Sequence, residues 1–473
     1  MSRGPNPQVS FADVEFMKQG IFLEPHLQAI SNFLDQHEAM IEKVRGDLKR
    51  GLKNPATGRS GLTPSQVLRS LILMRVKDWD YRELRERIAD GYTLRSFTDF
   101  LSQPVPQHDA FNRAFNRLTP ETLQAVNEFV VKAAVDLGLE DGKKLRVDST
   151  VVQTDIHHPT DNTLLWDTVR LITRLVGQLD QAVRRGLKGF RNRTRAARRR
   201  MQEIQRMTAK QRQQQQTKKY RKLIEITEQV VDSARAVLQQ TQKAVGKNEK
   251  DDLIIPQIRQ EIDHYCQLGD CVLGQARRRV LEGEQVPDAD KVYSIFEPHT
   301  DLIKRGKVQT PVEFGHKVFL AESAQGLITQ YAVLDGNPSD EDQVAPSLKH
   351  HRELFGHPPN LYGTDRGFYS ETNVKACKKG GVKVVSIPQR GGQKTSKRAA
   401  FEKSPDFKQG QRFRAGIEGR ISVLFRGRGM KRCRAEGRER FELLVGAAVL
   451  TNNLLRIAAL LMKPSSSRKR PAA

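Results

Sequence analysis

Three acidic residues that lie far apart in the chain have the chemistry for metal-dependent phosphoryl transfer. Asp148 stands in a run of aliphatic and β-branched residues, 143–152, that predicts a central strand. A carboxylate buried there needs a charge partner or a metal, because burial of the charge alone is costly. Asp365 follows another predicted strand, at the carboxyl end where open α/β sheets bind ligands. Glu418 lies on a predicted helix whose apolar face would pack on the sheet.

Carboxylate oxygens are hard ligands, and they suit Mg²⁺, which proteins hold together with substrate phosphates. Two such ions about 4 Å apart can activate water or a 3′-hydroxyl and stabilise the departing oxygen. The sequence therefore predicts that Asp148, Asp365 and Glu418 hold two Mg²⁺ ions, for which Mn²⁺ would substitute. Each acid also has a plainer reading: a surface ion pair for Asp148, a turn for Asp365 and a helix-surface charge for Glu418. The histidines and cysteines form no convincing alternative cluster.

The elements that must position these acids form a mixed sheet. Apolar alternation and turn signals predict five strands, at 143–152, 314–321, 327–334, 361–362 and 382–387. Helices are predicted after Ser339 and Ser370, at 413–426 and at 441–462. The order is strand, long insertion, hairpin, helix, strand, helix, strand. It predicts an α/β fold, a mixed five-stranded sheet flanked by helices, over residues 141–160 and 288–462.

Residues 1–140 are predicted to form an all-α N-terminal domain for DNA binding or dimerisation. Thr63-Pro64 and Thr119-Pro120 are helix starts, and each precedes apolar residues at helical spacing. The helices carry basic residues that fit a helix-turn-helix-like DNA reader and a plain bundle with a solvated basic face equally well. These residues are Arg69, Arg75, Arg82, Arg85 and Arg87. Trp79 and Trp166 are predicted to fill cores.

Residues 161–287 are predicted to form a long, basic helical insertion after the first strand. The absence of glycine and proline between Thr194 and Gly246 predicts extended helices or a helical hairpin. A net charge of +25 favours nucleic acid as the partner, with an anionic membrane surface as the competing reading. The like-signed density favours contact with the DNA backbone over a merely solvated face. The residues expected to make it include Arg195, Arg198, Arg199, Arg200, Lys218 and Lys219.

The remaining signals concern location. The apolar stretch 443–462 contains Asn452, Asn453 and Arg456, which argue for a helix buried against protein and against a membrane span. No signal peptide is visible, and four cysteines make no disulfide framework, which fits a reducing cytoplasm. Residues 463–473 are predicted to be a disordered basic tail.

Three passages resemble the DDE-type transposases of bacterial insertion sequences, which have an RNase H-like catalytic domain. They are 146–150 around Asp148, 364–369 around Asp365, and 414–423 around Glu418 with its closing helix. The resemblance implies an enzyme that binds terminal inverted repeats, cleaves phosphodiester bonds at the element's ends and joins the 3′-hydroxyls to target DNA. It also implies double-stranded DNA as substrate, a homodimer assembled on DNA and a nucleoid-associated protein in a bacterial cytoplasm.

The same resemblance assigns roles to individual residues. Asp148 matches the first acid, which bridges the metals, while Asp365 and Glu418 match the second and third. Arg414 matches an arginine one helical turn before the glutamate, where it could hold a phosphate bidentately. Arg366 is a further candidate for binding the scissile phosphate or for pairing with a carboxylate, and Arg426 for replacing a lysine of relatives.

Two departures put the handling of a flipped or hairpinned end in doubt: Gln411 replaces a tyrosine of relatives and Phe425 replaces that lysine. Two other functions remain open on the residues alone. One is an RNase H-like nuclease that cuts without joining, and the other is a non-catalytic architectural DNA-binding protein.

Overall fold

A computed structural model describes residues 22–52, 61–304 and 312–463. The chain divides into two compact units, the first made of 1–153 with 317–473 and the second of 154–316. Nearly all of the predicted basic tail, 464–473, lies outside the described residues. The first unit thus contains both the N-terminal helices and the strands that carry the predicted acids.

The described strands are β1 (Lys144–Thr154), β2 (Asp301–Lys304), β3 (Val312–Ser323), β4 (Ile328–Val333), β5 (Leu361–Gly363), β6 (Val384–Ser386) and β7 (Arg432–Cys433). Five of them form the predicted mixed sheet in the order β4-β3-β1-β5-β6, while β2 pairs with the start of β3 and β7 pairs with β1. The strand β4 is antiparallel to β3, whereas β5 is parallel to β1 and β6 is parallel to β5. The α/β fold class is confirmed.

The two faces of β1 explain how one strand serves both the core and the site. Leu145 and Val147 are fully buried in a cluster with Phe319 and Tyr362. Because successive side chains of a strand point to opposite faces, Arg146 and Asp148 face the other way. That alternation places a carboxylate on a strand whose neighbours are hydrophobic.

The helices of the first unit that come after β4 in the chain are α12 (Val344–Phe355), α13 (Glu371–Lys379), α14 (Ser396–Lys403), α15 (Pro405–Gly427) and α16 (Arg438–Leu461). The helix α15 begins earlier than the predicted 413–426, because Ser404 caps it and Pro405 occupies its first turn. On the face opposite Leu145, Leu424 of α15 and Val445 of α16 pack with Val152 and Val318. The long helix that carries Glu418 is therefore packed on the sheet.

The N-terminal helices are α1 (Pro25–Asp35), α2 (Ala39–Lys49), α3 (Pro64–Lys77), α4 (Tyr81–Asp90), α5 (Tyr92–Phe97), α6 (His108–Phe115) and α7 (Pro120–Asp136). They share one hydrophobic core with α16, whose Leu450, Leu454 and Ile457 are buried among them. The helix α16 is long and apolar enough to cross a membrane, but 78% of its most apolar window is buried inside the protein. Its apolar character is accounted for by this packing.

The predicted basic surface of the N-terminal helices is only partly exposed. Arg69 is buried, and its guanidinium pairs with Asp35 at 2.5 Å and donates to the Phe97 carbonyl. Arg82 and Arg87 are exposed. Arg69 is thus a structural residue of the bundle, whichever way the exposed arginines are used.

The second unit contains a helical bundle of α8 (Asp161–Ala182), α9 (Thr194–Gln205), α10 (Ala209–Gln240) and α11 (Glu249–Ala276) around a core of its own. The segment free of glycine and proline is not one continuous helix. It breaks after Arg206, where Thr208 forms a capping box with Gln211 and starts α10. The segment thus forms two helices, and the cap at Thr208 gives the position of the break, which composition did not predict.

Candidate active site

A single guanidinium stands between the three predicted acids. Arg414 Nη2 lies 2.9 Å from Asp148 Oδ2 and 3.8 Å from Asp365 Oδ2. Arg414 Nη1 lies 2.9 Å from Glu418 Oε1. Asp148 lies more than two hundred positions before the other two acids in the chain, and all three meet at the Arg414 guanidinium.

The elements explain this convergence. The strands β1 and β5 are parallel, and Arg146 of β1 lies opposite Gly363, the last residue of β5. Asp148 and Asp365 each come two residues later, so the same register brings these two acids side by side. Asp365 Oδ1 accepts a hydrogen bond of 2.8 Å from the Gly367 N–H, which fixes the carboxylate at the end of β5. Arg414 and Glu418 are one helical turn apart on α15, which presents both on one face.

A buried ionic triad holds α15 against the sheet. The fully buried carboxylate of Glu322, on β3, accepts from Arg146 Nε at 2.7 Å and from Arg420 Nε at 2.9 Å. Arg146 also donates to the Phe413 carbonyl at 2.7 Å and stacks over the Phe413 ring. A Cβ on Gly416 would clash with the Arg146 guanidinium, which Glu322 and the Phe413 carbonyl hold in place, so glycine allows this close approach of helix and strand.

Burial governs the ionisation of Asp148. Desolvation raises the pKa of Asp148 to about 6, although the Arg414 charge opposes the shift. The charges of Asp365 and Asp340 raise this pKa further. The Asp148 side chain is only 13% exposed, whereas that of Glu418 is 66% exposed. Asp148 is therefore the carboxylate that most needs a cation beside it.

Asp340 is a fourth acid near the site that the sequence analysis did not select. It lies between β4 and α12 and pairs with Lys317 at 2.8 Å. A Cβ on Gly367 would lie 3.2 Å from Asp340 Oδ2 and 3.0 Å from Asp365 Oδ1, so the two carboxylates flank this glycine. The signal in the sequence is the acidic run 340–342 at the start of the helix predicted after Ser339.

The donor set fits a hard divalent cation, but its carboxylates converge on Arg414. Within the described part of the chain, no three histidine, cysteine or carboxylate side chains are arranged ready to hold a metal ion. At this site the carboxylate oxygens of Asp148, Asp365 and Glu418 all face the guanidinium. All-oxygen ligands of this kind suit Mg²⁺. Such a cation would therefore compete with Arg414.

The other residues that the sequence analysis placed here have varied positions. Arg366 directly follows Asp365 in the chain, Arg426 follows Glu418 by eight residues, and both arginines are exposed. Gln411 Nε2 donates to the Ser386 carbonyl at 2.7 Å and to the Thr364 carbonyl at 3.2 Å. Gln411 therefore ties α15 to the ends of β5 and β6.

The basic segment of the second unit is internally paired in part. Arg195, Arg198 and Lys218 are exposed. Three other cations share the Glu203 carboxylate: Arg199 at 3.2 Å, Arg200 at 2.8 Å and Lys219 at 3.4 Å. Arg195 and Arg198, which lie outside the Glu203 cluster, are consequently the arginines best placed to meet an external polyanion.

Comparison with known proteins gives two family matches. Residues 22–117 match a transposase domain (DUF772), and residues 303–454 match a transposase DDE domain. The second match contains Asp365 and Glu418, and it begins after the insertion that follows Asp148. No curated protein and no solved structure matches the chain. Together the two matches cover a little over half of the chain, in the order and over the elements described above. The chain therefore belongs to the DDE transposases of insertion sequences.

Proposed function

We propose that this transposase binds the terminal inverted repeats of its element, cleaves phosphodiester bonds at the ends and joins the 3′-hydroxyls to target DNA. Asp148, Asp365 and Glu418 would hold two Mg²⁺ ions, with Mn²⁺ as a substitute. The single observation that supports this best is the convergence of the three acids on the Arg414 guanidinium. Nothing in the hydrophobic packing requires three charged side chains at one point, whereas phosphoryl transfer does.

When bound, the ions would supply charge neutralisation and an activated water or 3′-hydroxyl. The chain's own residues supply position. Asp148 is held in place by the strand β1, and the carboxylate of Asp365 is held by the hydrogen bond that the Gly367 N–H donates to it. Both acids are therefore positioned before the substrate binds. Arg414, once released from the acids, can hold a phosphate bidentately. Groups that are already in position lower the activation barrier, because the active site does not have to reorganise during the reaction.

The proposal extends to partners and place. The substrate is double-stranded DNA, and two ends must be brought together, so the protein would act as a homodimer assembled on DNA. Arg366 and Arg426, exposed near the acids, would contact the strand being cut. The protein would work in the bacterial cytoplasm, associated with the nucleoid. Residues 1–140 would serve DNA binding or dimerisation, and residues 161–287 would contact the DNA.

The test is nicking of a labelled element end with Mg²⁺ or Mn²⁺ by variants of the three acids. Asp148→Asn, Asp365→Asn and Glu418→Gln should each lower the cleavage rate by about 10²-fold or more, since each removes charge stabilisation from the reacting centre. Binding to the end should change little. The matched control is Glu353→Gln, an exposed acid of α12, which should cleave like the wild type. Wild-type cleavage by any one of the three variants would remove that residue from the site.

Joining is tested separately with ends that are already cleaved. The wild-type protein should convert them to strand-transfer products in target DNA, and Asp365→Asn should not. If the wild-type protein cuts ends but never joins them, the enzyme is a nuclease of the same fold.

A further inference from the structure

The first unit contains a cleft of about 1020 Å³ outside the site of the three acids. Its walls come from the end of α3, the starts of α4 and α16, α6, and the segment that follows α15. The aromatic side chains of Trp79, Tyr81 and Phe115 line it, together with the cations Arg75, Lys431 and Arg440. Aromatic rings and cations in one concave surface are the combination that binds nucleotides.

Arg75 is the group that demands a ligand. Its Nε is buried and has no hydrogen-bond partner. Within the described residues, the guanidinium forms no ion pair, and burial lowers the pKa of Arg75 although the charge of Asp78 opposes this shift. A Cβ on Gly429 would clash with Asp78 Oδ1 and would lie 3.1 Å from Arg75 Nη1, so the Asp78 carboxylate and the guanidinium lie on the same side of this glycine. Asp78 offsets the buried charge of Arg75 without pairing with it, and an anion that entered the cleft and bound the guanidinium would lower the cost of its burial.

The aromatic side chains of the cleft favour a ligand that contains a flat ring, such as a nucleotide base. Trp79 packs against the hydrophobic core but is only partly buried, although the sequence analysis assigned it to a core. Tyr81 and Phe115 lie beside each other with ring centroids 5.8 Å apart. Inorganic phosphate would need no such wall.

The acids of the cleft limit how much phosphate can enter. Asp78, Asp80 and Glu436 also line it. A continuous run of backbone phosphates would meet all three charges, whereas one phosphate beside Arg75 would meet only that of Asp78. The chemistry therefore fits a single nucleotide and not a length of duplex backbone.

We propose that this cleft binds one unstacked nucleotide of the DNA substrate, with its base against Trp79 and its phosphate at Arg75. The inference rests on the proposed function for the identity of its substrate. Phe425 also lines the cleft and lies two helical turns after Glu418 on α15, about 10 Å along the helix axis. A strand held at the three acids could therefore extend into the cleft.

The experiment uses the protein's two tryptophans. Trp166→Phe leaves Trp79 as the one fluorescent indole of the full chain. Titration with a single-stranded hexanucleotide should quench Trp79 saturably, and dAMP should compete where inorganic phosphate does so more weakly. Trp79→Ala, followed by fluorescence anisotropy of a labelled hexanucleotide, should weaken binding about 5- to 150-fold, the range for loss of one base stack.

Arg75→Gln tests the phosphate independently. It should reduce the slope of log affinity against log salt by about 0.7, the value for one contact with a single strand. Lys132→Gln, an exposed charge on α7 outside the cleft, should leave affinity and slope unchanged. Thermal melting of each variant, and Trp79→Phe as a ring-preserving replacement, separate loss of the ligand contact from loss of the fold.

The inference is overturned if Trp79 is not quenched, or if folded Trp79→Ala and Arg75→Gln proteins bind the hexanucleotide like the wild type. Its failure is distinguishable from failure of the proposed function. Asp148→Asn should abolish nicking and still quench Trp79. If the wild-type protein binds the hexanucleotide in the cleft but never nicks element ends, the nucleotide site is supported and the proposed transposition chemistry is contradicted.

Discussion

At the scale of single residues, the most informative group is Asp148. Its carboxylate is largely buried on β1, and the cation beside it, Arg414, is shared with two further acids. Burial outweighs the charge of Arg414 and raises the pKa of Asp148 to about 6. The residue is therefore costly to keep ionised until another cation arrives.

This cost predicts how stability depends on pH. The pKa of Asp148 rises from 3.8 to about 6 on folding, so the folded state holds this proton more tightly than the unfolded chain. The resulting stabilisation is full below pH 3.8 and is lost as the pH rises through about 6. An asparagine side chain cannot titrate, so Asp148→Asn should gain about 2 kcal/mol relative to the wild type between pH 4 and pH 7. Urea unfolding of both proteins across this range measures it, and a constant difference would contradict the raised pKa.

Arg414 yields a second prediction at the same scale. Because its guanidinium faces all three acids, it opposes the entry of a divalent cation. Arg414→Gln should therefore bind Mn²⁺ at least about tenfold more tightly, since unit charges near 4 Å interact by about 4 kcal/mol at an effective dielectric of 20. Electron paramagnetic resonance of free Mn²⁺ gives the affinity without any DNA. Arg366→Gln, also a lost positive charge near the acids, is the control and should change the affinity less. Unchanged or weaker Mn²⁺ binding by Arg414→Gln would show that the arginine does not compete.

At the scale of elements, the triad of Glu322 with Arg146 and Arg420 determines where α15 lies. The carboxylate is fully buried between a strand arginine and a helix arginine, so it has no solvent to replace a lost partner. Arg420 is two residues from Glu418 on the same helix. Displacement of α15 would thus move the third acid and Arg414 together.

Glu322→Gln should destabilise the protein by about 3–5 kcal/mol, because it leaves two arginines around a neutral amide. Chemical denaturation at neutral pH measures the loss. The control is Glu353→Gln, which removes one partner of an exposed pair with Lys349 and should cost less than about 1 kcal/mol. Similar losses in both variants would mean that the triad adds nothing beyond an exposed pair.

The elements also show what sequence could and could not predict. Alternation and helix periodicity predicted the five strands, with Asp148 within the first and Asp365 just after the fourth, because these signals are local. The partners of Glu322 could not be predicted, since β1, β3 and α15 meet only in the folded sheet. The break before α10 depends on a side-chain cap at Thr208, which composition does not register. Asp340 was missed for a similar reason, because its nearness to Asp365 is a property of the fold.

At the scale of the whole molecule, the dominant property is a net charge of +25. The second unit carries many of these cations, but its charges are not equivalent. Glu203 engages Arg199, Arg200 and Lys219, whereas Arg195 and Arg198 of the same helix are exposed without an ion pair among the described residues. A simple count of arginines therefore overstates the number of DNA contacts that this segment can make.

This difference predicts an unequal response to charge removal. Arg195→Gln with Arg198→Gln should lower the slope of log affinity for duplex DNA against log salt by about 1.8, at roughly 0.9 for each phosphate contact. Arg199→Gln with Arg200→Gln should lower it less, because Glu203 already neutralises part of their charge. Lys349→Gln with Lys375→Gln, on α12 and α13 of the first unit, removes the same charge and is the control. If all three double variants change the slope equally, DNA responds to total charge alone. If the first changes nothing, the exposed arginines of α9 serve another purpose, such as contact between subunits.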